Sequence, residues 1–313
     1  QQGLKENKDN LQAEISKPLF IVGLPRTGTT ILHRLLAADP RNQALEYWLS
    51  SFPQPRPPRA EWEQNPRYQE VEHSLQMLDQ IAPEMKQIHE MTAAGADECR
   101  MLLMQSFVNV TFQANAGVAD YEQWLYHADL GPAYALYRDC LRLIGCNDPD
   151  RRWVLKDPSH LWAMDTLLET FPDATIIQTH RNPVQLIPSV SSLVLTARRM
   201  QEPSVEAAVV GAGELAQWSR VLNKTLQVRR SQPDRFIDVY YEDFVRDPIA
   251  VVTDLYAQTA TEFEPEIEAR MRQWMNDQPA NKHGGHSYSA EEFGLTEHGI
   301  RTEFEDYCEF FGV

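Results

Sequence analysis

The stretch "GLPRTGTT", from Gly23 to Thr30, decides how this chain folds. It follows the apolar run "PLFIV", which predicts a short buried strand. It precedes "ILHRLLAADP", whose apolar spacing predicts a helix that ends near Asp39 and Pro40. The strand, the glycine turn and the helix open an α/β unit. Since backbone N–H groups at a helix N-terminus attract anions, those from Thr27 to Thr30 indicate a phosphate-binding loop.

The loop departs from the nucleoside-triphosphate pattern at one position. A Walker A loop has the spacing G-x4-G-K-[ST]. Gly23 and Gly28 keep that spacing, but Thr29 stands where the lysine belongs. Arg26 is the nearest cation, and Thr29 and Thr30 add hydroxyl donors. We therefore expect a phosphate cradle that is not built for a γ-phosphate with Mg²⁺; a plain strand-to-helix turn is the simpler alternative.

The rest of the chain continues the alternation of strands and helices. Three further apolar runs predict strands that end in charged turns: "RWVLKDPS", "ATIIQTHRNP" and "FIDVYYED". Helices are expected over 160–170, 183–200, about 204–230 and 248–259. Such alternation predicts a P-loop-type parallel sheet flanked by helices. In these sheets the ligand lies at the carboxyl ends of the strands.

A helical region interrupts this pattern. Residues 68–147 contain no good strand, and "ECRMLLMQSFVNVTFQ" and "PAYALYRDCLRLIG" are its clearest helices. We expect a largely helical insertion on the substrate side over about 55–150. It belongs to a single domain at 18–313, which follows a leader segment at 1–17. The chain begins with Gln1 rather than methionine, which leaves a preceding segment open.

The composition of the chain limits which binding partners and which cellular compartment are expected. The 313-residue chain has a net charge of −16, whereas duplex-binding proteins usually carry a basic surface; nucleic acid is not expected as a partner. The four cysteines form no CxxC pair, which argues against a zinc site and a disulfide framework and suits a cytoplasmic location. No signal peptide and no apolar stretch of roughly 20 residues is present, so stable membrane insertion is not expected.

A second stretch, "THRNPVQLIPSVSSL", has features of a phosphate site. Arg181 ends a predicted strand, Pro183 suits the first turn of a helix, and Ser189 lies eight residues after Arg181. An arginine and a serine in these places can hold one phosphate from two sides. On its own, the stretch is equally consistent with an ordinary helix start and a serine on a polar helix face.

Together, the two stretches resemble the sulfotransferases that use 3′-phosphoadenosine 5′-phosphosulfate (PAPS). "GLPRTGTT" is similar to their 5′-phosphosulfate loop, in the P-R-[ST]-G-T-T form of bacterial and tyrosylprotein-type members. "RNPVQLIPS" is similar to their 3′-phosphate motif, and "VYYEDFVRDP" and "KHGGHSYSAEEFGL" resemble later segments. The resemblance runs from about residue 18 to the end and weakens across 55–150, where members differ and substrates are selected.

The resemblance implies that the loop holds the 5′-phosphosulfate of PAPS and that the reaction needs no metal. A sulfuryl group carries less charge than a γ-phosphoryl group, so catalysis rests on positioning and fixed positive charge. Donor-binding roles are expected for Arg26, Thr27, Gly28, Thr29, Thr30, Arg181, Ser189, Lys282 and His286. His283 and His286 form a weak metal pattern, but no cysteine or carboxylate completes it.

Three residues are candidates for catalysis. Glu46 is the expected base, because a glutamate follows the loop helix at about this distance in tyrosylprotein-type and some bacterial members; its apolar neighbours would raise its pKa. His160 is the rival or assistant, in the region where cytosolic members place their histidine, although the spacing from Lys156 differs. Lys156 is expected to contact the bridging oxygen or the acceptor. The structural alternatives are a glutamate at a surface turn, a helix-start histidine and a salt bridge from Lys156 to Asp157.

The acceptor is the least determined part of the reaction. An apolar, aromatic-rich helical cover suggests a small-molecule alcohol, a phenol or a lipid-linked sugar, and Trp48, Trp62, Phe107 and Trp124 are candidates for its pocket or for the core. Oligomeric state is open. Two other functions also stay open: a metal-dependent nucleotide kinase, which predicts a lysine after Gly28, and a nucleotide-binding relative without catalytic activity.

Overall fold

A five-stranded parallel sheet organises the protein. The computed structural model describes residues 2–7, 11–12, 14–81, 91–277 and 288–313. The strands are β1 (Leu19–Val22), β2 (Asn42–Gln43), β3 (Arg152–Lys156), β4 (Thr175–His180) and β5 (Phe236–Tyr240). Their order is β2-β3-β1-β4-β5, and every pairing is parallel. The predicted α/β architecture is confirmed.

Helices connect these strands and cover both faces of the sheet. The α-helices of the described residues are α1 (Gln2–Glu6), α2 (Thr29–Ala37), α3 (Tyr47–Ser51), α4 (Pro66–Ile81), α5 (Arg100–Met104), α6 (Thr111–Ala116), α7 (Ala119–His127), α8 (Gly131–Gly145), α9 (Met164–Thr170), α10 (Pro183–Arg199), α11 (Ala207–Ser231), α12 (Tyr241–Arg246), α13 (Pro248–Gln258), α14 (Pro265–Asp277), α15 (Glu297–Glu303) and α16 (Glu305–Phe311). Short 3₁₀ segments lie at Arg59–Gln64, Pro158–Ala163, Pro233–Arg235 and Glu291–Phe293. Within this part of the chain, no helix is both long and apolar enough to cross a membrane.

The strand periodicity of two divides the core between the two faces. Leu19 and Ile21 of β1 pack with α2, α13 and α14. Phe20 and Val22 point to the opposite face and join the larger core beneath the helical insertion. All four side chains are buried. The central strand is therefore covered on both sides, as its uninterrupted apolar run predicts for a parallel sheet.

The structure differs from the sequence-based elements in two places. β2 is a polar pair, Asn42–Gln43, that pairs with β3, and nothing in its composition indicates a strand. The helix predicted over 98–113 is broken into α5 and α6, because Phe107 between them has a left-handed φ of 59°. The described residues of 55–150 form helices and loops, with one isolated antiparallel bridge between Ala96 and Glu46; a helical insertion on the substrate side stays a prediction.

Candidate active site

The loop after β1 has the backbone of an anion cradle. Arg26 and Gly28 have φ values of 73° and 84°, and Gly28 is the N-cap residue that directly precedes α2. A Cβ on Gly28 would meet the Tyr241 ring at 3.3 Å. The turn thus directs the N-terminus of α2, with its unpaired first-turn N–H groups, toward the carboxyl end of the sheet. Arg26 is exposed, whereas Thr29 is buried.

Two hydroxyl groups attach the loop to the neighbouring strand. Thr27 Oγ1 donates to the Leu24 carbonyl at 2.6 Å and lies 2.6 Å from Thr179 Oγ1 on β4. Gly23 leaves room for this pair, because a Cβ at that position would lie 2.1 Å from Thr179 Oγ1. The buried hydroxyl of Thr27 therefore holds the loop itself. The donor-binding role expected of Thr27 stays a prediction, and with its hydroxyl group engaged it would use the backbone N–H.

Arg181 joins the two predicted phosphate elements. It follows β4, and its Nη1 donates to the carbonyl oxygen of Arg26 at 3.0 Å. Its guanidinium carbon lies 4.3 Å from the centroid of the Tyr241 ring, while its buried Nε has no acceptor among the described residues. Asn182 caps α10 through Val184 N, which places Ser189 two turns into that helix. The phosphate loop and the arginine motif are thus in direct contact.

Lys156 connects the end of β3 to the loop. Its Nζ donates to Glu98 Oε1 at 2.7 Å and to Thr30 Oγ1 at 3.3 Å, and its side chain is 1% exposed. Glu98 reaches this place because Cys99 N donates to the Lys156 carbonyl at 3.1 Å. The ion-pair partner of Lys156 is therefore Glu98, and the alternative of a salt bridge to Asp157 is wrong. Sequence reasoning missed Glu98, since only a long-range backbone contact brings it here.

Asp157 is a second buried carboxyl group at this edge. Its Oδ1 accepts from Ser159 N at 2.7 Å and so caps the 3₁₀ segment that follows β3. Burial raises the pKa of Asp157 to about 7, with a further contribution from the negative charge of Glu98, and Lys156 opposes both effects. Its Oδ2 is buried without a hydrogen-bond partner among the described residues. Asp157 is therefore close to the point of ionisation at neutral pH.

Glu46 lies at the start of α3 and faces an arginine. Its Oε2 accepts from Arg56 Nη2 at 3.0 Å and from Arg56 Nε at 3.1 Å. Arg56 also donates to Gln43 Oε1 at 2.6 Å and to Asp148 Oδ2 at 3.1 Å. Burial raises the pKa of Glu46, while the positive charge of Arg56 lowers it. The role of Glu46 as the base stays a prediction, and these contacts belong to a buried charge network around Arg56.

His160 is enclosed by aromatic rings. It is fully buried, its Nδ1 lies 2.8 Å from the Tyr134 hydroxyl, and the Phe20 ring meets it edge-on at 5.2 Å between centroids. Burial lowers the pKa of His160 to about 3, so the ring is neutral at physiological pH. Its assisting role stays a prediction, and its contacts are those of a core histidine.

The remaining predicted residues are the four aromatic pocket candidates and the basic residues near the C-terminus. Some lie in the core, some on the surface and some outside the described residues. Trp48 and Trp62 are buried and pack on each other, whereas Phe107 and Trp124 are exposed. Lys282, His283 and His286 lie outside the described residues. In the described ranges, no group of three or more His, Cys, Asp or Glu side chains is arranged to hold a metal ion.

Comparison with known proteins identifies the family. A profile of the sulfotransferase family matches residues 18–265. The chain is 25% identical over 303 residues to omega-hydroxy-beta-dihydromenaquinone-9 sulfotransferase Stf3 of Mycobacterium bovis and of Mycobacterium tuberculosis, a match that covers 90% of this chain and 72% of each relative.

Two mycobacterial crystal structures share the fold over nearly the whole chain. Sulfotransferase STF1 of M. tuberculosis has a TM-score of 0.86 at 38% identity, covering 97% of this chain and 80% of its own. Sulfotransferase STF9 of M. avium has a TM-score of 0.90 at 26% identity, covering 99% and 80%. With its anion-binding loop, its adjoining arginine and these matches, the chain belongs to the sulfotransferase family.

Proposed function

We propose that this sulfotransferase moves the sulfuryl group of PAPS to the hydroxyl group of a hydrophobic, lipid-like small molecule. The contact between Arg181 Nη1 and the Arg26 carbonyl carries the proposal. It joins an anion loop to a second cation at the carboxyl end of a parallel sheet, where such folds bind ligands. A donor with phosphates at both its 5′ and 3′ positions fits two adjoining anion sites.

The donor is bound in two parts. The first-turn N–H groups of α2, with Arg26, Thr29 and Thr30, hold the 5′-phosphosulfate. Arg181 and Ser189 hold the 3′-phosphate in this proposal. Lys282 and His286, which lie outside the described residues, stay donor-binding predictions of the sequence. Since a sulfuryl group carries little charge, fixed cations suffice and no metal is required.

Sulfuryl transfer then needs in-line attack by the acceptor hydroxyl on sulfur and departure of the bridging oxygen. Lys156 stabilises that oxygen in this proposal, and the contact between its ammonium group and Thr30 at the start of α2 supports this role. Glu46 as base and His160 as its assistant remain the predictions of the sequence. In the structure both side chains have other partners, Arg56 and Tyr134.

The acceptor proposal rests on a relative and on an aromatic surface. The 25%-identical mycobacterial relative is named for a hydroxylated menaquinone. Here Phe107 stacks on Phe112, and Tyr121 and Trp124 continue the ring contacts across α6 and α7. Asn109 Nδ2 donates to Ser159 Oγ at 2.9 Å and so ties this surface to the turn after Asp157. An apolar acceptor chain can lie there with its hydroxyl group at the site.

The test is a transfer assay with ³⁵S-labelled PAPS. The acceptors are ω-hydroxy-β-dihydromenaquinone-9, dodecanol and phenol, and ATP with Mg²⁺ is the control donor. We expect labelled product from the apolar alcohols in a larger amount than from phenol, and no phosphoryl transfer from ATP. Phosphorylated product without sulfated product would favour the kinase alternative. PAPS binding without any transfer would favour a relative without catalytic activity.

A cytoplasmic location and the absence of a nucleic-acid partner belong to the same proposal. The described structure contains all four cysteines as free thiols, which is consistent with a reducing compartment. The net charge of −16 is unfavourable for binding a polyanion. Fractionation of the producing cell, followed by detection of the protein in the membrane pellet alone, would contradict the first of these.

A further inference from the structure

Lys156 connects the carboxylate of Glu98 to the end of the phosphate loop. Lys156 Nζ lies 2.7 Å from Glu98 Oε1 and 3.3 Å from Thr30 Oγ1, so one ammonium group links the carboxylate to the first turn of α2. Thr30 is one of the residues proposed to hold the group that reacts. Lys156 and Thr30 thus link Glu98 to the group that is proposed to react.

The charges around Glu98 come from three segments. Arg100 Nη1 lies 3.6 Å from Glu98 Oε2, and Lys156 binds the other oxygen. Asp157, directly after β3, interacts electrostatically with Glu98 and Lys156. Asp97 interacts in the same way with Arg100. Two cations therefore hold Glu98 in place. Its side chain is 16% exposed, which gives the carboxylate a path for protons to and from solvent.

We propose that Glu98 is the catalytic residue that removes the proton from the acceptor hydroxyl. The inference rests on the proposed sulfuryl transfer. The acceptor oxygen forms a bond to sulfur, and the bond between sulfur and the bridging oxygen breaks. The electron pair leaves with adenosine 3′,5′-bisphosphate, and the proton passes to Glu98 and then to water. Lys156 turns from Glu98 to the bridging oxygen in the same step.

The other acidic and basic candidates are less well placed. Glu46 is held by two hydrogen bonds from Arg56, whose further partners lie away from the loop at Gln43 and Asp148. His160 is fully buried, and Asp157 is 1% exposed and caps a helix. Glu46 is 14% exposed and Glu98 is 16% exposed, so exposure does not separate them; Glu98 alone among these four pairs with Lys156.

The experiment compares Glu98→Gln with Glu46→Gln and with the control Glu202→Gln, which removes an exposed carboxylate paired to Arg198. Turnover of labelled PAPS is measured with dodecanol, phenol and 4-nitrophenol, and with water as the background acceptor. A base matters most for a hydroxyl group that must lose its proton during attack, and least for 4-nitrophenol, which is largely ionised at pH 8. Melting temperature and calorimetric affinity for adenosine 3′,5′-bisphosphate report on folding.

We expect Glu98→Gln to lower kcat with dodecanol by roughly 10²–10⁴-fold, the usual share of general-base catalysis. Donor affinity should change less than threefold, the acidic limb of the pH–rate profile should disappear, and the loss with 4-nitrophenol should be much smaller. Glu98→Asp keeps the carboxylate and should restore part of the rate and the acidic limb. If Glu98→Gln does not fold, the rate and pH profile of Glu98→Asp test the inference in its place.

Three results would overturn the inference. Glu98→Gln with near-normal turnover would exclude Glu98 as the base, and a near-inactive Glu46→Gln beside it would assign the role to Glu46. Equal losses with phenol and 4-nitrophenol would show a structural role for Glu98. A wild-type protein that transfers sulfate to none of these acceptors, water included, would contradict the proposed function itself and this inference with it.

Discussion

At the scale of single residues, Arg181 is the proposed donor-binding side chain that also contacts the phosphate loop. It contacts the Arg26 carbonyl and the face of Tyr241 and leaves one buried N–H without an acceptor among the described residues. A buried donor of this kind is costly unless a ligand satisfies it. This unpaired N–H makes Arg181 a candidate to bind an anion beside the loop.

We predict that Arg181→Ala weakens binding of adenosine 3′,5′-bisphosphate more than tenfold and binding of adenosine 5′-phosphate only slightly. A charged hydrogen bond contributes about 1.5–3 kcal/mol, and only the bisphosphate has the 3′ group. Calorimetry with both nucleotides measures the difference. The control is Arg59→Ala, which removes an exposed arginine paired to Glu63. Equal losses for the two nucleotides would contradict the assignment.

A second prediction concerns Asp157. Because burial raises its pKa to about 7 from the usual 3.8, the folded protein keeps this proton at pH values where the unfolded chain has lost it. Its contribution to stability is therefore present at low pH and falls as the pH rises through about 4–7. Relative to wild type, Asp157→Asn should gain stability from pH 4 to pH 8, by at most about 4 kcal/mol.

Urea unfolding of both proteins across this pH range measures that gain. Glu214, whose pKa burial also raises to about 7, is present in both proteins and cancels in the difference. A difference between the two that does not change with pH would mean that Asp157 is ionised throughout this range.

At the scale of elements, the loop depends on two glycines in backbone conformations that side chains disfavour. Gly23 has a φ of 154° and Gly28 a φ of 84°. The first allows Thr179 to approach the loop, and the second turns the chain into α2. The glycine spacing that marks the motif in the sequence is thus a requirement of backbone geometry.

We predict that Gly23→Ala lowers the free energy of unfolding by about 1–3 kcal/mol and weakens donor binding, because a Cβ would displace Thr179 and the loop. Gly213→Ala is the matched control. Gly213 lies within α11, where an added Cβ would meet no atom within 4 Å, so alanine should stabilise the protein by about 0.4–1 kcal/mol. Denaturant unfolding and nucleotide calorimetry separate the two variants; an intact, fully binding Gly23→Ala protein would contradict this account of the loop.

The elements that the sequence predicted well are those with a local signal. The buried strand β1, the loop and the start of α2 follow from an apolar run, two glycines and helical spacing. The end of α5 does not, because the apolar spacing of 98–113 continues past Phe107, which adopts a left-handed φ of 59°. β2 has two polar residues, and its strand geometry comes only from pairing with β3.

The same limit applies to the site. The positions of Arg181 and Ser189 were predictable, because one strand end and one helix place both; their contacts to a phosphate stay a prediction. Glu98 was not, because its approach to Lys156 depends on a backbone contact between Cys99 and Lys156, which are distant in sequence. Glu46 keeps the predicted direction of its pKa change, but the sequence did not indicate that Arg56 would be its partner.

At the scale of the whole molecule, a chain with a net charge of −16 must bind an anionic donor through local cations. The described part of the site supplies them from separate segments: Arg26 in the loop, Lys156 at the end of β3 and Arg181 after β4. The N–H groups at a helix N-terminus add fixed positive potential to that of these side chains.

We accordingly predict that sulfuryl transfer continues in excess EDTA with less than about a twofold change in rate. The physical reason is that the proposed site stabilises the leaving oxygen with Lys156 and needs no Lewis acid. Rates measured before and after chelation test this. A complete loss that Mg²⁺ restores would favour the kinase alternative.

The most direct test of the central claim is the melting temperature of the protein with adenosine 3′,5′-bisphosphate, compared with ATP and Mg²⁺ at the same concentration. A ligand that binds the folded state stabilises it by mass action, by about 2.7 kcal/mol at one hundred times its Kd. We predict a clear, saturable rise with the bisphosphate, a smaller rise with adenosine 5′-phosphate and almost none with ATP and Mg²⁺. A rise with ATP and Mg²⁺ that exceeds the rise with the bisphosphate would contradict the account.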